Sequence, residues 1–129
     1  MILDTSAIIA ILRKESEAVT LLTKVTNSPT NRISASTYLE LGVVVDKEGN
    51  PVQSRRLDEF IREAPIGISP FTEAQAKLAR DAYRDYGKGS GHPAQLNFGD
   101  CFAYALAKDL GEPLLFKGDD FSKTDVEVA

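Results

Sequence analysis

The chain opens with MILD, a short apolar strand closed by Asp4, and runs at once into a helical stretch from Ser6 to Lys14. A strand feeding directly into a helix begins an α/β unit, and this limits the fold more than any other feature. The alternation continues. A second helix spans Glu17 to Val25, the breaker-rich NSPTN follows, and RISA (Arg32 to Ala35) makes the next strand. STYLELGVVVD, from Ser36 to Asp46, is helical but apolar nearly all round, so it is expected to be buried centrally. EGNP ends it. Pro51 suits a first helical turn, and Leu57, Phe60, Ile61 and Ala64 fall at the spacing of an amphipathic helix that stops at Pro65. Its opposite face carries Arg55, Arg56, Asp58, Glu59 and Arg62, and the segment Arg55 to Glu63 is read as a core-covering helix, with dimerisation or partner docking as the alternative role. IGIS is the third strand, Thr72 caps a helix with the stripe Leu78, Ala79, Ala82, Tyr83 and Tyr86, and GKGSGHP makes one long flexible loop. Asn97 caps the helix FGDCFAYALAKDLG, which ends at Gly111, and LLF (Leu114 to Phe116) is the fourth strand. Strands alternating with helices imply a mainly parallel sheet of four to five strands covered on both faces, an α/β/α sandwich.

At 129 residues the chain is one domain's worth, 1–129. Hydrophobic residues make up 43% and charged residues 26%, far from the profile of a disordered chain. A single cysteine, Cys101, allows no intrachain disulfide, and with His92 as the only other soft ligand a Cys/His zinc site is excluded. The longest apolar run, Ala7 to Leu12, is too short to span a bilayer, and no basic segment precedes it. The expectation is a soluble cytoplasmic protein with no membrane partner. A net charge of −4 argues against a simple electrostatic coat for nucleic acid. It leaves room for a nuclease, because metal-dependent phosphodiester cleavage gathers carboxylates at its centre while basic residues rim the site.

Four places hold a carboxylate where an apolar residue is the ordinary choice: Asp4, Glu40, Asp100 and the pair Asp119 and Asp120. Asp4 follows the first strand and Asp119 the fourth, and the carboxyl ends of parallel strands form the ligand crevice of such sheets. Glu40 and Asp100 lie in helices among apolar neighbours, where an unpaired charge costs several kcal/mol. Clustered carboxylates need a cation or shared protons, and oxygen-only ligation selects magnesium or manganese over zinc. Each position also has a plainer reading. Asp4 could cap the first helix, Asp100 could be a first-turn acid favoured by the helix dipole, and Asp119 and Asp120 sit in a turn where aspartate is common. Glu40, flanked by Leu39, Leu41, Val43 and Val44, is the hardest to read as a solvated residue.

In combination, MILDTSAIIA with Asp4, STYLELG with Glu40, LNFGDCFAYALA with Asp100 and PLLFKGDDF with Asp119 and Asp120 resemble the ordered acidic motifs of PIN-domain ribonucleases, more narrowly the VapC toxins of toxin-antitoxin pairs. The resemblance runs from the first residue to the last strand. It implies a PIN-like α/β/α domain that binds magnesium or manganese and hydrolyses RNA, with Asp4, Asp100 and Glu40 as metal ligands and a VapB-like antitoxin whose C-terminal segment enters the groove. A homodimer is also implied. Many relatives place an acidic residue three positions before the phenylalanine of the last motif, where this chain has Gly118, so either Asp119 or Asp120 supplies the fourth carboxylate or the site works with three strong ligands. Ser6 is a candidate to bond the cluster or the scissile phosphate. Arg13, Lys14, Lys88, Lys117 and Lys123 are candidate phosphate contacts, foremost Lys88 and Lys117. A metal-oriented water needs no histidine base, so His92 is read as a solvated loop residue, and Cys101 as a buried apolar one.

Three alternatives stand beside this reading. Asp4 and GDDFSKTD also resemble haloacid-dehalogenase-like phosphohydrolases, but those need an aspartate two residues after the first, where this chain has Ser6, and they leave Glu40 unexplained. A receiver domain wants an acceptor aspartate after the third strand, where Ser69 and Pro70 stand. A catalytically inactive RNA-binding or scaffold PIN domain would lack one of the carboxylates.

Overall fold

The computed structural model describes residues 1–129. Its elements run β1 (Ile2–Leu3), α1 (Thr5–Leu12), α2 (Ala18–Asn27), β2 (Asn31–Ser34), α3 (Ala35–Asp46), α4 (Pro51–Glu63), β3 (Ile66–Ser69), α5 (Glu73–Tyr86), α6 (Asp100–Leu110) and β4 (Leu114–Leu115), with a short 3-10 turn at Phe121–Lys123. The sheet has four strands in the order β3-β2-β1-β4 and every pairing is parallel. The chain steps from β1 outward to β3 and then crosses back to place β4 on the far side of β1. With right-handed crossovers, that reversal sends the last helices to the opposite face.

Alternation along the strands separates two cores. Ile2 and Leu114 face α5 and α6 and join a cluster with Leu96, Tyr104, Leu106 and Phe121. Leu3 and Leu115, one residue on in each strand and paired in register, face the other way into a cluster with Ile8, Leu21, Ile33, Leu41, Leu57 and Ile66. Each strand is only two to four residues long; β1 and β4 are buried on both faces, whereas the edge strand β3 leaves Gly67 and Ile68 exposed.

Caps set the helix starts. Asp4, Ser34, Asn50 and Thr72 each accept a backbone N–H of the following turn, and Gly111 at φ +63° stops α6 as a left-handed cap. The first helix ends at Leu12, not Lys14, because Lys14 takes a left-handed φ of +52°. The glycine-rich loop is pinned at its ends, where Lys88 N–H donates to the Leu96 carbonyl and Leu96 N–H to that of Tyr86, at 2.9 Å each. Gly89 and Gly91 within it hold φ of +88° and +83°, which side chains other than glycine rarely adopt.

One expectation is overturned. The helix of STYLELGVVVD does not run through the centre of the molecule. Only Thr37, Leu41 and Val45 of α3 are buried, a single i, i+4 stripe, while Leu39 and Val43 are 66% and 55% exposed. α3 packs on α4, α1, β2, β3 and α6 and leaves Leu39 and Val43 uncovered, so its apolar surround reflects a bare outer face. α4 packs as a core-covering helix, with Leu57 buried and Phe60 and Ile61 half-buried.

Candidate active site

β1 ends at Leu3, so Asp4 is the first residue past the strand at which the sheet order reverses, where open α/β sheets place their ligand crevice. Its backbone N–H donates to the Leu115 carbonyl at 2.9 Å. Its side chain is 3% exposed, and Oδ2 accepts the Ser6 N–H at 2.9 Å and the Ser6 hydroxyl at 2.6 Å. The capping role is therefore real and does not account for the burial. Burial pushes the Asp4 carboxyl above the usual carboxylate range; the Ser6 bonds oppose this and the nearby Glu40 charge adds to it. Ser6 has a second partner. Its Oγ accepts the Lys117 N–H at 3.0 Å, which ties the segment after β4 to the cap of α1.

Glu40 sits in the second turn of α3, half-buried. Oε1 accepts the Thr5 hydroxyl at 2.6 Å. Oε2 lies against Gly99 so closely that a Cβ at that position would overlap the carboxylate. This contact brings α3 and the start of α6 together. Asp100 and Asn97 cap α6 reciprocally, Asp100 N–H donating to Asn97 Oδ1 and Asn97 N–H to Asp100 Oδ2, both at 2.9 Å. Burial pushes the Asp100 carboxyl up to about 7, the Asn97 bond opposes it, and the charges of Asp4, Asp120 and Glu40 raise it further. No cation answers these four acids.

The pair after β4 divides. Asp120, exposed beside the 3-10 turn, acts on Asp100 through its charge. Asp119 does not figure there; its carbonyl accepts the Ser122 N–H and hydroxyl at 3.2 and 2.6 Å. Among the basic candidates, Lys117 pairs its ammonium with Glu15 and with Glu17, the latter at 3.5 Å, and Arg13 pairs with Glu48 at 2.7 Å. Lys14, Lys88 and Lys123 are exposed. His92 is more fixed than a solvated loop residue: Nδ1 accepts the Ala94 N–H at 3.1 Å and the ring stands edge-on to Tyr86 at 4.9 Å. The buried Cys101 thiol is pushed up to about 11 by burial and the neighbouring Asp100, so it stays protonated and unreactive at neutral pH. Two site residues escaped the sequence reading, Thr5 and Gly99. Each adjoins a singled-out aspartate, and that adjacency was their only signal.

The PIN domain family model matches residues 1–127. The chain belongs to the PIN-domain family. Ribonuclease VapC28 of Mycobacterium tuberculosis is 57% identical over 129 residues, covering 100% of this chain and 97% of that protein. Ribonuclease VapC42 of the same organism is 48% identical, with 100% and 98% covered. Among solved structures, M. tuberculosis VapC20, described as a sarcin-ricin loop cleaving toxin, superposes with a TM-score of 0.78 at 13% identity, covering 99% of this chain and 97% of that one. FitAcB of Neisseria gonorrhoeae gives 0.72 at 26% identity, with 98% and 94% covered. The PIN fold, with its all-parallel sheet, is thus shared across the full chain.

In this PIN domain no three His, Cys, Asp or Glu side chains form a ready-made metal cluster. The donor set nonetheless fits a hard divalent ion. The groups that meet there are carboxylate and hydroxyl oxygens, the buried Asp4 and half-buried Asp100 carboxyls are held above their usual range, and no lysine or arginine neutralises them. A magnesium-sized ion binds through one or two carboxylates and keeps several waters, so it needs no closed cage.

Proposed function

We propose that this protein is a magnesium- or manganese-dependent endoribonuclease and the toxin of a toxin-antitoxin pair. The observation that carries the reading is the convergence of Asp4, Glu40 and Asp100 from three separate elements, with Glu40 seated on Gly99 and no cation among them. Its relatives named as VapC ribonucleases over the whole chain support the same activity.

Asp4 and Asp100 would hold the ion, with Glu40 beside them and Asp120 as the fourth carboxylate. Once bound, such an ion lowers the pKa of a coordinated water and offsets charge on the phosphodiester's non-bridging oxygens. The chain's own residues supply the rest. Ser6 fixes Asp4 through two hydrogen bonds and holds the Lys117 backbone over the crevice, while Thr5 fixes Glu40. Lys88, exposed and unpaired in the loop, and Lys117, once released from Glu15, are the phosphate contacts.

The haloacid-dehalogenase alternative is disfavoured because the position of its acid is Ser6, whose hydroxyl is already spent on Asp4. A partner is proposed on the structural neighbours: a toxin-antitoxin complex from Klebsiella pneumoniae and VapBC2 from Rickettsia felis share the fold. A VapB-like antitoxin would close this crevice in the cytoplasm, and the toxin would pair as a homodimer. No helix is long and apolar enough to cross a membrane.

The test is incubation of total cellular RNA with the purified, antitoxin-free protein in magnesium, in manganese and in chelator, beside Asp100→Asn. Defined fragments that require metal and disappear in the variant establish the reading. A folded protein that cuts nothing with either metal overturns it.

A further inference from the structure

Phe98, two residues before Asp100, is 75% exposed, although it is one of the largest apolar side chains in the molecule. It is also held rigidly. Its ring stands edge-to-face on Phe102 at 4.9 Å and 79°, and Phe102 stands edge-to-face on Phe71 at 5.0 Å and 84°. These three rings, with Tyr83 of α5, line a groove beside the acidic crevice whose one charged wall is Arg80. Arg80 enters none of the chain's ion pairs; Arg84, one turn on, is the residue that serves Asp81 and Asp85. A rigid aromatic face and an uncommitted guanidinium therefore lie next to the carboxylates, on a molecule of net charge −4.

We propose that this groove is the substrate-positioning subsite of the ribonuclease: an unpaired base of single-stranded RNA stacks on Phe98 while Arg80 meets a neighbouring phosphate. The inference rests on the ribonuclease reading. Single-stranded RNA is the occupant whose chemistry matches both halves of the surface, because every base has a π-face and every linkage an anionic phosphate. Self-pairing of two copies through this groove is disfavoured, since it would cover Arg80 with a surface that holds no carboxylate to pair it. The groove's Phe98 and Cys101 flank Gly99 and Asp100 in the chain, so a base held there brings the adjoining phosphodiester towards the crevice.

The chain contains no tryptophan, so Phe98→Trp creates a single fluorescent reporter at the subsite. In an Asp100→Asn background that binds without cutting, titration with a fluorescein-free single-stranded oligoadenylate should quench that emission, while the same length of duplex RNA should not. Phe98→Ala and Arg80→Ala should each weaken oligoadenylate binding about tenfold, and Phe98→Ala in the active protein should raise KM more than it lowers kcat. Because Phe98 is exposed, its loss should leave the melting temperature unchanged. Undiminished binding by Phe98→Ala overturns the subsite. So does a loss of binding that tracks conversion of a dimer to a monomer in sedimentation, or quenching by a partner protein but not by RNA. If the protein with Phe98 intact cuts no RNA, the ribonuclease reading itself fails; if it cuts and Phe98→Ala cuts equally well, the subsite alone fails.

Discussion

An acid sits towards each end of α6, Asp100 in its own first turn and Asp125 from the C-terminal segment, and the two are treated in opposite ways. Near its last turn, Asp125 accepts the Tyr104 hydroxyl at 2.6 Å and the Lys108 ammonium at 3.0 Å, and these partners hold its carboxyl below the usual range. At its first turn, Asp100 has one backbone donor and three acidic neighbours, and its carboxyl is driven up to about 7. The same helix thus shows what a compensated acid looks like and what an uncompensated one looks like. The first anchors the C-terminal segment to the core. The second stores electrostatic free energy that only a cation or a proton can release, which is the mark of a functional group.

Breaking the uncompensated end should have the largest effect. Replacing a group that merely orients a metal ligand costs 10- to 100-fold, so removing the charge of a proposed ligand with Asp100→Asn should lower RNA cleavage by more than about 100-fold. The same change removes repulsion from Asp4, Asp120 and Glu40, so the melting temperature of the metal-free protein should stay level or rise. A large loss of stability accompanying the loss of cleavage would reduce Asp100 to an ordinary cap. Gly99→Ala is the sharper version. The new methyl group collides with the end of the flexible Glu40 side chain, which can swing away at little cost to the fold. Cleavage should fall about 10- to 100-fold, as expected when a catalytic group is displaced by about 1 Å, with near-wild-type thermal stability.

At the compensated end the signs reverse. Tyr104→Phe deletes a hydrogen bond to a charged acceptor that is largely open to solvent, so a loss of about 1 kcal/mol is expected. That corresponds to a melting temperature lower by about 3–5 °C, with cleavage unchanged. A drop in cleavage from this variant would mean that the two ends of α6 are coupled.

This contrast also explains what the sequence made legible. The strand-helix alternation and the four acidic positions could be read because each follows from local pattern: Asp4 closes an apolar strand, and Asp100 stands three residues past Asn97 in a capping box. α3 was misread because periodicity reports the polarity of each face and not whether a face is covered; Leu39 and Val43 are apolar and bare. Thr5 and Gly99 were missed because their roles depend on Glu40, 35 residues from Thr5 in sequence, arriving against both. The place of Lys117 after β4 makes it a candidate phosphate contact, but its ion pairs with Glu15 and Glu17, on the segment between α1 and α2, are not visible in the sequence. Side-chain partners across such separations are fixed by the packing of helices, which one sequence does not encode locally.

The smallest effect expected is a dependence of stability on pH that metal should cancel. Asp4 and Asp100 both have folded-state values raised above their unfolded ones, Asp100 to about 7. A raised acid favours the folded state while it is protonated, so its contribution is whole below the unfolded value near 4 and disappears as pH rises through the folded value. The metal-free protein should therefore melt a few degrees higher at pH 5 than at pH 8. The Tyr104–Asp125–Lys108 cluster adds no slope in this window, since the lowered Asp125 value gives its support in full once that group is ionised, above its unfolded value near 4. Asp125→Asn should therefore lower the melting temperature by a similar amount at pH 5 and pH 8 and leave the slope between them unchanged. Manganese should flatten it, because an ion bound by Asp4 and Asp100 replaces the protons that high pH removes and binds only the folded state. Equal melting curves at pH 5 and pH 8 in chelator, unaltered by manganese, would show that the two ends of α6 do not differ in the way their hydrogen bonds imply.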